Sequence, residues 1–154
     1  VTGREIKFAA DKMLGRLARW LRLAGQDVLY GSHLTGGSLV SAARREGRMI
    51  LTRDRALARK DPSERLLIHS DHFREQLKQV VAAFEIDPLA AAFTRCAECN
   101  ALLVAVSKAE AEGRVPTYVL DTQERFSSCP RCRRLFWRAT HYRQIVAEIE
   151  RLND

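Results

Sequence analysis

Four cysteines stand in two Cys-x-x-Cys pairs, Cys96/Cys99 and Cys129/Cys132. Two residues between thiolates let one tight knuckle aim both sulfurs at a single ion, and two knuckles complete a tetrahedron. The flanks agree: Asn100 tolerates the turn that follows the first knuckle, and Pro130 pre-sets the bend of the second. Apolar residues follow each pair, at 101–104 and 135–137, as the strands of a zinc ribbon would. Residues 105–116 must then supply a loop or a short helix. Four thiolates leave no open coordination position, so the expected ion is a structural Zn2+ rather than a catalytic one. Disulfides are the competing use of the same residues, and an intracellular chain disfavours them.

A second group of residues suits a harder ion. Asp11, Asp54 and Asp71 each lie just past a short apolar run that reads as a strand. If those strands are parallel, all three carboxylates fall at the carboxyl edge of one sheet, where functional groups collect. Such a cluster is costly unless a cation neutralises it, and oxygen ligands favour Mg2+ or Mn2+. An ion held there activates water and offsets charge in a phosphoryl transition state. Lys12, Arg16, Arg19, Arg53 and Arg55 lie nearby in sequence and can hold the phosphates of a substrate. Each residue also has a plainer use. Asp11, Asp54 and Asp71 are all at positions where an aspartate caps a helix, and the arginines can be a solvated helix face.

The elements that must position these groups are legible as alternation. Strand patterns at residues 6–10, 27–30, 48–52 and 66–69 are separated by helical ones. The first helix follows Asp11 and places Leu14, Leu17, Ala18 and Leu21 on one stripe, widened by Met13, Trp20 and Ala24. Gly25 is its stop. Residues 31–37 read as a loop, 38–46 as a helix ending at Gly47, and 55–60 as a short helix after Asp54. A long amphipathic helix over 71–84 turns Phe73, Leu77, Val80, Val81 and Phe84 inward. This βα alternation predicts a mostly parallel sheet with helices on both faces. Asp87-Pro88 marks a boundary, which gives an α/β domain over 1–92 and a ribbon with a terminal helix, from about His141 to Leu152, over 93–154.

Composition fits this plan. The chain has 154 residues, 46% of them apolar and 29% charged, enough for one core and a small module. A net charge of +7 favours anionic partners such as nucleic acid. No run is apolar or long enough to span a membrane, and residues 1–5 show no signal-peptide pattern, so the expected location is cytoplasmic.

The string from Phe8 to Arg22, FAADKMLGRLARWLR, is distinctive, as are Gly25-Gln26-Asp27, Leu51-Thr52-Arg53-Asp54 and the late Cys129-Pro130-Arg131-Cys132 with Phe136-Trp137 and Thr140-His141. In this order they resemble the Mut-seven C-terminal RNase domain family, a PIN-like nuclease domain followed by a zinc ribbon. The resemblance implies a PIN-like three-layer sandwich and a ribonuclease, a hydrolase acting on RNA phosphodiesters through clustered aspartates and a divalent cation. By motif, Asp11 and Asp54 match the family's acids, and Asp27 is a further match. Two departures stand out: Gly36 where the family often has an acid opening a helix, and Ala139 where it usually has glycine. A site short of one carboxylate leaves an alternative on the same fold, an RNA-binding or adaptor module that no longer cleaves. In either case RNA is the expected partner, and the ribbon offers a surface for a protein partner.

Overall fold

A computed structural model describes residues 5–138 and 142–153 of the chain. Four parallel strands, β1 (Phe8–Ala10), β2 (Val28–Leu29), β3 (Met49–Thr52) and β4 (Arg65–Leu67), form one sheet in the order β2-β1-β3-β4. Helices α1 (Gly15–Leu23), α2 (Gly36–Glu46), α3 (Arg55–Lys60) and α4 (Phe73–Ala83) alternate with them. Side chains of a strand point to alternate faces, so the sheet sorts its own core. Phe8, Ala10 and Leu51 meet Leu17, Ala18 and Leu21 of α1 and Leu77 and Val80 of α4. On the other face Ala9 and Ile50 meet Leu39, Ala42 and Ala43 of α2 and Leu57 of α3. The chain travels from β1 to β2 under one face and returns past β1 to β3 over the other. Opposite directions on opposite faces are what the right-handed crossover requires. β1 and β3 are therefore neighbours whose onward connections diverge.

The expected elements are all found, with shifted boundaries. Asp11 caps a single 3-10 turn, Lys12–Leu14, before α1 begins. That tighter winding takes Met13 off the apolar stripe, and it is 57% exposed. Helix α2 starts two residues earlier than expected, at Gly36, because Ser38 Oγ accepts the Thr35 backbone N–H at 3.1 Å and closes the first turn around the glycines. Helix α4 starts two residues later, at Phe73, with His72 rather than Asp71 in the cap position. At the outer edge of β4, the Gln79 side chain from α4 donates to the Leu67 carbonyl at 2.7 Å and accepts the His69 N–H at 3.1 Å.

A second sheet is antiparallel, in the order β5 (Val104–Val106), β6 (Phe126–Ser128) and β7 (Leu135–Phe136). Two short helices, α5 (Lys108–Ala111) and α6 (Thr117–Thr122), fill the long connection and bury Ala111 and Val119 against Phe126. The strand expected over 101–104 begins only at Val104, and Leu102 makes an isolated bridge to Arg95. The last helix, α7 (Tyr142–Glu150), runs into a 3-10 turn, Arg151–Asn153, and His141 lies outside the described residues. Glu148 of α7 pairs with Arg74 of α4, and Leu152 packs on the core beneath α1 and α4.

The segment between the sheets is not a free linker. Gly25 has φ +85°, and a Cβ there would meet the Ala91 carbonyl oxygen at 2.1 Å. Glycine is thus required twice, for the left-handed helix stop and for the close approach. The Phe93 N–H donates to Leu23 O at 2.9 Å, which pins the incoming chain to the end of α1. No helix among the described residues is long and apolar enough to cross a membrane.

Candidate functional site

The carboxyl edge of the parallel sheet brings Asp11 and Asp54 together through one hydroxyl. Asp11 follows β1, its N–H donating to Leu51 O of β3 at 3.0 Å. Its Oδ1 accepts the Lys12 N–H at 2.8 Å, and its Oδ2 accepts the Thr52 hydroxyl at 2.8 Å. The same Thr52 oxygen accepts the Asp54 N–H at 3.0 Å. Asp54 then caps α3, its Oδ1 taking the Ala56 and Leu57 N–H groups at 2.9 and 3.1 Å. The other oxygen, Oδ2, has no hydrogen-bond partner among the described residues. β1 and β3 are the two strands whose connections diverge, so this is the topological switch point at which open α/β sheets bind ligands.

Asp11 is unusual for a cap. It is 3% exposed and makes no ion pair among the described residues. A buried carboxylate is ordinarily paired or metal-bound, because the cost of stripping its water must be offset by a cation. Here the two neutral donors hold it in place without supplying that charge.

The other expected acids are placed differently. Asp71 is exposed at the same edge, two residues ahead of α4, and is not gathered with Asp11 and Asp54. Among the described residues, the cysteines alone form a group of three or more side chains able to hold one ion. Gly36 opens α2 with φ +55°, and a Cβ there would meet nothing within 4 Å. Asp27 lies at the opposite edge. It precedes β2 and sits level with Lys7, ~13 Å of strand away from Asp11. Its carboxylate accepts from Arg48 and from the Asn100 amide, both at 2.7 Å, with Arg95 at 3.9 Å. Burial pushes the Asp27 carboxyl up, but the bonds from Asn100 and Arg48 outweigh it and leave the net shift downward.

The basic residues also divide. Arg19 of α1 pairs with Glu98, inside the first Cys pair, and Arg134 approaches the same carboxylate at 3.9 Å. Arg16 lies over the Phe73 ring at 3.8 Å, and Trp20 stacks on that ring from α1. Lys12 and Arg53 are exposed beside the two acids, without an ion pair among the described residues.

The four cysteines converge as expected. Their sulfurs all lie within 4.8 Å of one another, and Cys96 and Cys132 are 3.8 Å apart. A tetrahedron of ~2.3 Å metal–sulfur bonds has edges of ~3.8 Å, so the spacing fits one ion and is far beyond a disulfide bond. The two knuckles repeat one pattern. Cys96 N–H donates to Ala101 O and Asn100 N–H to Cys96 O, as Cys129 N–H does to Arg134 O and Arg133 N–H to Cys129 O, each at 2.9–3.0 Å. Asn100 and Arg133, after each second cysteine, adopt φ +68° and +67°. Thiol acidities diverge within the cluster. Burial first, then the neighbouring thiols, push Cys99 up to about 12. For Cys129, burial opposes ionisation, but the Cys132 and Arg131 N–H groups win and bring it down to about 7. Thiols packed this closely cannot all ionise without a cation between them.

Arg22, which the sequence did not flag, and Asn100, flagged only for its turn, join the knuckle to the sheet. The buried Arg22 donates to Val28 O through Nε and Nη2, at 3.0 and 2.8 Å, and to the Ala97 and Glu98 carbonyls through Nη1, both at 3.1 Å. Asn100 accepts the Val28 N–H at 2.9 Å. A signal for Arg22 was present: it is four residues after Ala18 and one after Leu21, on the buried stripe of α1, where a charge needs partners.

The model of the Mut7-C RNAse domain family matches the chain over residues 6–149. No curated protein and no solved structure matches it.

Proposed function

Because this chain belongs to the Mut7-C RNAse domain family, we propose that it is a divalent-metal-dependent ribonuclease on a PIN-like sandwich, with Asp11 and Asp54 as the principal metal ligands. The observation that carries this is the buried, unpaired Asp11 carboxylate, tied through Thr52 to Asp54 at the switch point of the sheet. Mg2+ or Mn2+ suits oxygen donors and supplies Lewis acidity to a scissile phosphate and to an attacking water. Thr52 fixes the Asp11 carboxylate by donating to Oδ2 and so orients its remaining lone pairs outward. Asp54 spends Oδ1 on the helix cap and keeps Oδ2 for the ion. Asp71, at the same edge, completes the set through water. Lys12, Arg16 and Arg53 receive phosphates on either side. Arg19, paired with Glu98, holds the ribbon instead, and Asp27 fastens the opposite edge. The cysteine cluster takes Zn2+, whose role is structural because all four positions are protein thiolates.

The test is cleavage of single-stranded RNA by zinc-loaded protein over a Mn2+ series, alongside Mn2+ binding by calorimetry. Wild type cleaves, and Asp11→Asn neither cleaves nor binds Mn2+ comparably. Equal cleavage by both would refute the assignment.

A second reading has its own support. The edge gathers two acids rather than three, and position 36 has no side chain. A chain that binds RNA but fails to cleave it at any Mn2+ concentration is an RNA-binding module on the same fold.

A further inference from the structure

Beside the acidic edge, α3 and β4 enclose a groove of about 550 Å³ lined by Arg55, Ala58, Arg59, Arg65, Leu67 and His69, with Pro62 at one end. Residues 65, 67 and 69 alternate with Leu66 and Ile68, which face the core shared with α1 and α4, so the groove lies on the face that carries α3. No acidic residue lines it.

Its floor is the informative part. Arg65 is 6% exposed. Nη1 donates to Leu57 O at 2.7 Å, which fixes the guanidinium plane, and Nε is buried with no hydrogen-bond partner. A buried guanidinium with an idle donor and no ion pair among the described residues costs free energy that a bound anion would recover. Arg55 and Arg59 line the wall and likewise form no ion pair among the described residues. Asp61, between α3 and β4, accepts hydrogen bonds from Ser63 and forms no ion pair with Arg65.

One end of the groove meets the acids. Arg55 directly follows Asp54, and the Ile68 N–H, beside His69, donates to Thr52 O at 2.7 Å. From Arg65 to His69 the chain spans ~13 Å if extended, so the groove has room for more than one phosphate contact.

We propose that this groove holds the phosphodiester backbone of the RNA strand leading to the Asp11–Asp54 edge, with Arg65 as the buried phosphate anchor and Arg55 and Arg59 as its outer contacts. It deepens the ribonuclease assignment and rests on it for the identity of the strand. The planar guanidinium suits a phosphate, whose oxygens can accept two parallel N–H groups.

The experiment is fluorescence anisotropy of the full, zinc-loaded chain with a labelled single-stranded RNA over a salt series without added Mn2+, with Mn2+-dependent cleavage assayed in parallel. Arg55→Ala/Arg59→Ala should bind about tenfold more weakly, and its log–log salt slope should fall by ~1.4, about 0.7 per lost phosphate contact. Arg65→Lys, which keeps the charge and loses the fork, should weaken binding while the slope falls less; its fold is checked by circular dichroism. The control, Arg44→Ala/Arg45→Ala on α2, removes the same charge elsewhere. Equal losses in the control and the groove variant overturn the track, as does displacement of RNA by polyglutamate at matched charge. A groove variant that binds and cleaves like wild type overturns the track and leaves the ribonuclease standing. Loss of binding by that variant, with no cleavage by any protein, supports the track and overturns the ribonuclease.

Discussion

Arg22 reaches from α1 into the first cysteine knuckle, where its Nη1 donates to the Ala97 carbonyl at 3.1 Å. Burial draws the Arg22 guanidinium below its ordinary value, and negative charge on the Cys96 and Cys99 sulfurs opposes that shift. The first cysteine knuckle and the parallel sheet thus share one buried cation. Arg22→Met keeps the volume and leaves the Val28, Ala97 and Glu98 carbonyls short of donors, so the metal-loaded protein should lose about 3 kcal/mol in urea unfolding. It should also release zinc faster to a chelator. Unchanged release would show that the knuckle holds its shape without α1.

Asp27 makes stability depend on acid. Its carboxyl lies below the unfolded value of about 3.9, so its contribution is present above that pH and is lost as pH falls through the folded value. Asp27→Asn should therefore be about 1–2 kcal/mol less stable than wild type at neutral pH, and the gap should close below about pH 4. Denaturant midpoints measured for both proteins across that range check the sign. A gap that widens in acid would contradict it.

Asp54 caps α3 and is the proposed metal ligand, two roles that substitution separates. Asn keeps the cap, since its oxygen accepts the Ala56 and Leu57 N–H groups as Asp does, but it lacks the charge for a metal. Asp54→Asn should melt within a degree or two of wild type, about the shift of a few tenths of a kcal/mol, and lose Mn2+-dependent cleavage. Asp54→Ala should lose about 1 kcal/mol as well as activity. Calorimetric melting with the cleavage assay resolves the two.

Gly36 is open to a side chain but left-handed, a conformation that Asp tolerates better than most residues. Gly36→Asp should lower the Mn2+ concentration needed for half-maximal binding, while Gly36→Ala shows only the cost of the backbone, about 1 kcal/mol. Identical titrations for both variants would place position 36 off the metal site.

Much of this arrangement was legible in order and period. The stripe Leu14, Leu17, Ala18 and Leu21 is fully buried because its 3.6-residue spacing presents one face to both the sheet and α4. Asp11 and Asp54 could be placed because they follow strands. Asp27 was open to the same reasoning: it precedes Val28, and in a parallel sheet that is the amino edge. The groove was not legible, because Arg55, Arg59 and Arg65 come from two elements whose packing depends on the register of β3 with β4. Nor could residue type announce the left-handed Arg133, since the repeat of the knuckle geometry, rather than side-chain preference, imposes it.

Gln79 has a bearing on how the protein behaves in company. An outermost strand offers its free main-chain groups to any passing strand, and sheets grow or aggregate by accepting one. By filling the Leu67 and His69 positions with a side-chain amide, Gln79 imitates a fifth strand one residue long. Concentrated protein is thereby denied, at this edge, the template that would let two copies stitch their sheets together, at the cost of a single half-buried amide and no added length of chain.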